Sequence, residues 1–81
     1  MISITLYSRP GCHLCEEMKS VVSRVARLMP ITLAEVDISS DPELERQYGI
    51  EIPVLFVDGR KAAKYRIAED ELMRIVAGRS G

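Results

Sequence analysis

The segment Ser8-Arg9-Pro10-Gly11-Cys12-His13-Leu14-Cys15 constrains this chain more than any other. It holds both cysteines and the only histidine of the 81 residues. Before it, Ile2, Ile4 and Leu6 alternate with Ser3, Thr5 and Tyr7. That period of two predicts a strand. Pro10 withdraws a ladder donor and Gly11 permits a tight turn, so the strand ends there. After the segment, Leu14, Met18, Val21, Val22, Val25 and Leu28 recur at spacings of three and four, which predicts a helix over about 13–28. A strand that runs into C-x-x-C at the start of a helix points to redox or metal chemistry.

A chain of 81 residues is expected to form one domain, 1–81, with a small core. Apolar residues make up 47% and charged residues 28%, a globular balance. Net charge is -1 with mixed signs, so no nucleic-acid partner is expected. Arg60, Lys61, Lys64 and Arg66 are the densest basic group and read as a solvated strand face. No apolar run approaches the roughly 20 residues of a membrane span, and no secretory pattern is visible. The expectation is a cytoplasmic monomer. Thiols are kept reduced there, so the pair is expected to be catalytic or metal-binding. It is also a poor staple, because a loop this short yields at most roughly 2 kcal/mol in the chain-entropy model.

Ile31 to Ile38 predicts a second strand, parallel to the first across a right-handed crossover. Ser40 or Asp41 caps a short helix over about 42–48, Glu43 could close a capping box with Ser40, and Gly49 is its C′ residue. Val54 to Val57 and Arg60 to Tyr65 form a hairpin about Asp58-Gly59. A last helix spans about 68–77, with Gly78 as its stop and 79–81 as a tail. The fold class is α/β, β-α-β-α-β-β-α, a four-stranded mixed sheet. Helices one and three cover one face and helix two the other.

Dithiol exchange needs an accessible thiolate and a second thiol that attacks the mixed disulfide. Cys12 falls at a helix N-terminus, where free N–H groups and the dipole favour negative charge. Cys15, one turn on, faces the same way but deeper. Cys12 is therefore the attacking thiol and Cys15 the resolving one. A protonated His13 would favour the Cys12 thiolate, or His13 is an exposed bystander. Arg9 either meets an anionic substrate or the thiolate, or is a lone surface charge. Ile52-Pro53 precedes a buried strand directly, and from sequence alone the peptide bond is expected trans.

Taken together these residues resemble the thioredoxin-fold superfamily, and within it the glutaredoxins. Tyr7 to Cys15 is similar to the glutaredoxin active-site segment, Ile52-Pro53-Val54 to its cis-proline segment, and C-H-L-C to a group of short bacterial glutaredoxin-like proteins. The resemblance spans nearly the whole chain. It implies a cis Pro53 flanking Cys12, an Ile52 backbone that pairs with substrate, and an Arg9 that helps hold glutathione. His13, Arg9, Ile52 and Pro53 are thus the candidate substrate-binding residues. Glu51-Ile52 stands where the family usually has Thr-Val, and Lys64-Tyr65-Arg66-Ile67 where it has Gly-Gly and an Asp. Between the cysteines, His13-Leu14 stands where the family usually has Pro-Tyr or Gly-Pro; the cysteines themselves match.

The expected function is a thiol–disulfide oxidoreductase acting on protein or small-molecule disulfides, with no bound cofactor and with glutathione or a disulfide reductase as reductant. Two other classes compete. Cys12 and Cys15 could supply half of a metal or iron–sulfur site shared across a dimer, or the domain could be a redox-inert interaction module.

Overall fold

The computed structural model describes residues 1–80. In order they form β1 (Ile2–Ser8), α1 (His13–Ala26), β2 (Ile31–Asp37), a 3-10 turn (Ile38–Ser40), α2 (Pro42–Tyr48), β3 (Val54–Val57), β4 (Arg60–Lys64) and α3 (Glu69–Ser80). The sheet order is β2-β1-β3-β4. β1 runs parallel to β2 and antiparallel to β3, and β3 pairs antiparallel with β4. This is the expected four-stranded mixed sheet with three helices. Among the described residues no helix is long and apolar enough to cross a membrane.

The alternation in β1 decides which helices it meets. Ile2, Ile4 and Leu6 turn to a core shared with Met18, Val22 and Val25 of α1 and Leu72 and Val76 of α3. Burying each such side chain contributes about 1.5–3 kcal/mol. Tyr7 faces the other way and stacks on Tyr48 of α2, with ring centroids 4.8 Å apart. Phe56 meets Tyr7 edge-on at 5.5 Å. α1 and α3 therefore cover one face and α2 the other.

Element ends differ from the sequence expectation in ways local chemistry explains. α1 stops at Ala26, and the N–H groups of Arg27 and Leu28 reach back only three residues, to Arg24 and Val25. Pro30 restricts the residue before it to extended backbone. The tightened turn swings Leu28 off the core, leaving it 65% exposed. Asp41 alone caps α2, accepting from the N–H groups of Glu43 and Leu44. Glu43 pairs with Arg46 instead of closing a box with Ser40. Gly49 has a right-handed φ of -53°, so it is no left-handed C′ residue. Its need for glycine is steric: a Cβ there would run into the Glu45 carbonyl and lie 3.5 Å from the Arg9 guanidinium. Gly78 does not stop α3, which continues to Ser80. Gly81, the end of the expected tail, lies outside the described residues. The hairpin turns at Asp58 and Gly59, both at positive φ (50° and 83°), as a two-residue I′ turn requires.

The far end of the sheet is tied by Asp58. Its Oδ1 accepts from the Ser3 N–H at 2.9 Å, and its Oδ2 accepts from Arg79 at 3.4 Å. The Ser3 N–H above all holds its pKa below the ordinary 3.8, with Arg79 adding to the effect. A carboxylate with a depressed folded pKa stabilises the fold fully above its unfolded value, and that stabilisation is lost as pH falls through the folded value. Asp58→Asn should therefore unfold at a lower temperature than the parent at neutral pH, and the gap should close on acidification below about pH 4. Thermal unfolding followed by circular dichroism across that range checks both parts.

Candidate functional site

Four strand ends meet at one edge of the sheet. Ser8 at the end of β1 pairs with Asp37 at the end of β2. Tyr7 pairs with Val54 at the start of β3, and Val54 pairs with Lys64 at the end of β4. The Arg9–Cys12 turn, the Ile52-Pro53 segment and Tyr65 consequently leave the sheet side by side. The turn closes through the Cys12 N–H to the Arg9 carbonyl at 3.3 Å, with Gly11 at φ +79°.

Cys12 is the N-cap of α1. Its backbone is extended (φ -91°, ψ 111°), its carbonyl accepts the first helical bond from Glu16, and its Sγ accepts from the Cys15 N–H at 3.2 Å. A sulfur in the N-cap position thus takes one of the free donors of the helix start. Cys12 and Cys15 are joined in a disulfide, with Cα atoms 5.2 Å apart. Their exposure differs as the helix geometry predicts: Cys12 is half-buried and Cys15 is only 3% exposed.

The remaining sequence candidates are placed as follows. Ile52-Pro53 is a cis peptide bond, as the resemblance implies and the sequence alone does not. Pro53 is fully buried. The Ile52 N–H is already engaged, donating to the Tyr48 carbonyl at 3.1 Å. His13 is exposed, its side chain at 88%, and its Nε2 lies 4.0 Å from Glu17 one turn on. Arg9 turns to α2, where its guanidinium forms an ion pair with Glu45 and reaches the Gly49 carbonyl. Its charge is met within the chain. Glu51, which stands with Ile52 where the family usually has Thr-Val, is bonded to Lys61 Nζ at 2.6 Å, and that bond lowers its pKa.

Three features escape the motif reading. Behind Cys15 a cleft of about 260 Å3 is lined by Ser8, Glu35 and Asp37. Ser8 donates to Glu35 at 3.3 Å, and Lys19 approaches the same carboxylate at 3.1 Å, which raises the Lys19 pKa. The alternation of β2 could have found Glu35, since register pairs it with core-facing Leu6. Asp37, whose pKa is lowered by hydrogen bonds from the Ser39 hydroxyl and N–H, anchors the 3-10 turn. Tyr65 lies between β4 and α3 with φ +70°, a conformation no sequence signal announces for tyrosine. Among the described residues there is no group of three or more His, Cys, Asp or Glu side chains placed to hold a metal ion.

The sheet order, the cis proline and a C-x-x-C disulfide at a helix start define a protein of the thioredoxin fold. A mutant thioredoxin from Halobacterium salinarum superposes with a TM-score of 0.71 over 99% of this chain and 75% of its own, at 22% identity. The chain belongs to the glutaredoxin-like domain family (DUF836), whose model matches residues 3–77. It is 35% identical over 79 residues to the Glutaredoxin-like protein YDR286C homolog of Dictyostelium discoideum, covering 88% of this chain and 71% of that one. The X-ray structure of protein XcR50 from X. campestris is similar at a TM-score of 0.76 and 30% identity, covering 93% of this chain and 96% of its own.

The Arg9–Glu45 pair joins the turn before Cys12 to α2 and is only partly exposed on both sides. Arg9→Ala and Glu45→Ala should each destabilise the fold by about 0.5–1 kcal/mol, and the double variant by less than their sum. Urea unfolding of the four proteins measures the coupling. Full additivity would show that the pair contributes nothing.

Proposed function

We propose that this protein is a thiol–disulfide oxidoreductase that exchanges electrons with protein or small-molecule disulfides through Cys12 and Cys15. The observation that carries this reading is the asymmetry of the pair at the helix start. Cys12 is partly accessible, and its sulfur accepts a backbone N–H of α1. Cys15 is buried one turn behind it. In the reduced protein that N–H and the helix dipole would stabilise a Cys12 thiolate.

The thiolate attacks one sulfur of the substrate disulfide. A Cys12–substrate disulfide forms, and the other substrate thiolate leaves and takes a proton. Cys15, after losing its proton, attacks Cys12 Sγ in turn. The Cys12–Cys15 disulfide forms, the second substrate thiol leaves, and the substrate has gained the two electrons the pair has lost. The disulfide form described above is the product of that half-cycle. Two thiols, from glutathione or from a dithiol reductase, would restore the reduced pair. Pro53 and the Ile52 backbone border the path of the substrate, and His13 stands beside Cys12 as an exposed group able to carry charge. A reducing cytoplasm suits this chemistry.

Three measurements test the reading. Reduced Cys12 should be alkylated with a midpoint below the free-thiol value near 8.5. Cys12→Ser should abolish reduction of insulin disulfides and of hydroxyethyl disulfide. Cys15→Ser should accumulate a mixed disulfide visible as added mass. Full turnover by Cys12→Ser would refute the proposal.

A further inference from the structure

We infer that Tyr65 determines the substrate class of this site, favouring polypeptide disulfides that carry an apolar side chain next to the reacting cysteine and acidic residues nearby. The inference rests on the dithiol exchange proposed above. Tyr65 has φ +70°, a region glycine enters freely and a bulky side chain does not. A glycine would supply the same bend without strain, so the tyrosine side chain is held in this conformation by the contacts it makes. That side chain has a defined use. The Tyr65 N–H donates to the Pro53 carbonyl at 2.8 Å, and its hydroxyl donates to the Ile50 carbonyl at 3.1 Å. One residue thus grips the cis-proline segment at both ends.

The grip builds a surface. Ile50 is 90% exposed and Tyr65 42%, two of the few large apolar side chains that face solvent. They adjoin each other at the edge where the cysteine turn emerges. From Tyr65 a cleft of about 360 Å3 runs along α1 past Glu17 and Val21, and Glu17 lies one turn after His13. An extended segment whose cysteine meets Cys12 has room to lay its neighbouring side chains on Ile50 and Tyr65. Two cations, Lys64 and Arg66, flank this patch, and the nearby Glu51 carboxylate is bonded to Lys61 while also feeling the Lys64 charge. Lys64 Nζ lies 5.5 Å from the Tyr65 ring centroid, and neither Lys64 nor Arg66 has an ion-pair partner among the described residues. An acidic residue on the partner would find both. Glutathione is too short to cover the patch and offers no apolar side chain to it.

The test is the second-order rate at which the reduced full chain is oxidised by three disulfides, followed by loss of free thiol. The first is a peptide disulfide with leucine beside the cysteine and two glutamates. The second is the same peptide with serine and lysines in those places. The third is oxidised glutathione. The parent should react with the first about tenfold faster than with either other, the order expected when an apolar anchor is engaged. Tyr65→Gly should lose that preference while its rate with oxidised glutathione is unchanged or higher, and its unfolding temperature should not fall. Ile50→Ser, altered at an exposed position, should lose part of the preference with no change in fold. Tyr65→Phe should lie between, reporting the hydroxyl bond alone. Equal parent rates with all three disulfides, or equal slowing of all three in Tyr65→Gly, would overturn the inference and leave dithiol exchange standing. No reaction with any disulfide would overturn both.

Discussion

Backbone pairing of Tyr7 with Val54 joins two segments that lie far apart in the sequence. That register decides where everything chemical ends up. Tyr7 is the last-but-one residue of β1, so the turn carrying Cys12 follows almost at once. Val54 opens β3, so Pro53 sits immediately before the sheet. A slip of one residue would turn Leu6 and Leu55 out of the core, and both are fully buried. The hydrophobic face therefore fixes the register. The register in turn places the cysteine turn beside the cis proline, with no contribution needed from the site residues themselves.

The helix that starts at Cys12 adds the second half of the geometry. Its buried stripe, Met18, Val22 and Val25, locks the rotation of α1 against the sheet. Cys15 lies one turn before Met18 on that stripe and must be buried. Cys12, as N-cap, lies outside the helical spiral and keeps access to solvent. The inequality between the two sulfurs is thus a consequence of core packing, not of any special residue near them.

The strands, α1 and the C-x-x-C placement were readable because each depends on a local pattern: alternation in Ile2 to Tyr7, three-four spacing in Leu14 to Val25, Asp58-Gly59 for the hairpin. Cys12 and Cys15 came from the same reading, and the cis form of Pro53 only from family resemblance. What could not be read depends on where distant atoms arrive. Gly49 looks like a helix terminator, yet its lack of a side chain serves the Glu45 carbonyl and the Arg9 guanidinium. Arg9 looks free in sequence, and its partner Glu45 is seen only once α2 is folded back over the sheet. Leu28 fits the helical stripe, but Pro30 two residues later ends the helix first. Tyr65 defies its propensity altogether, since a left-handed tyrosine is accepted only when its neighbours hold it there.

α2 has an importance its burial does not suggest. None of its residues is fully buried, and it rests on the sheet through the Tyr48 ring and the Arg9–Glu45 pair. Both walls of the cysteine site nevertheless hang from it. Arg9, three residues before Cys12, is tied to Glu45, and the N–H of Ile52, beside Pro53, is tied to the Tyr48 carbonyl. A segment with few buried contacts is among the first to open locally. Opening α2 would release the Arg9 guanidinium and the Ile52 N–H together. The same short helix therefore sets the position of both segments that flank the cysteine turn.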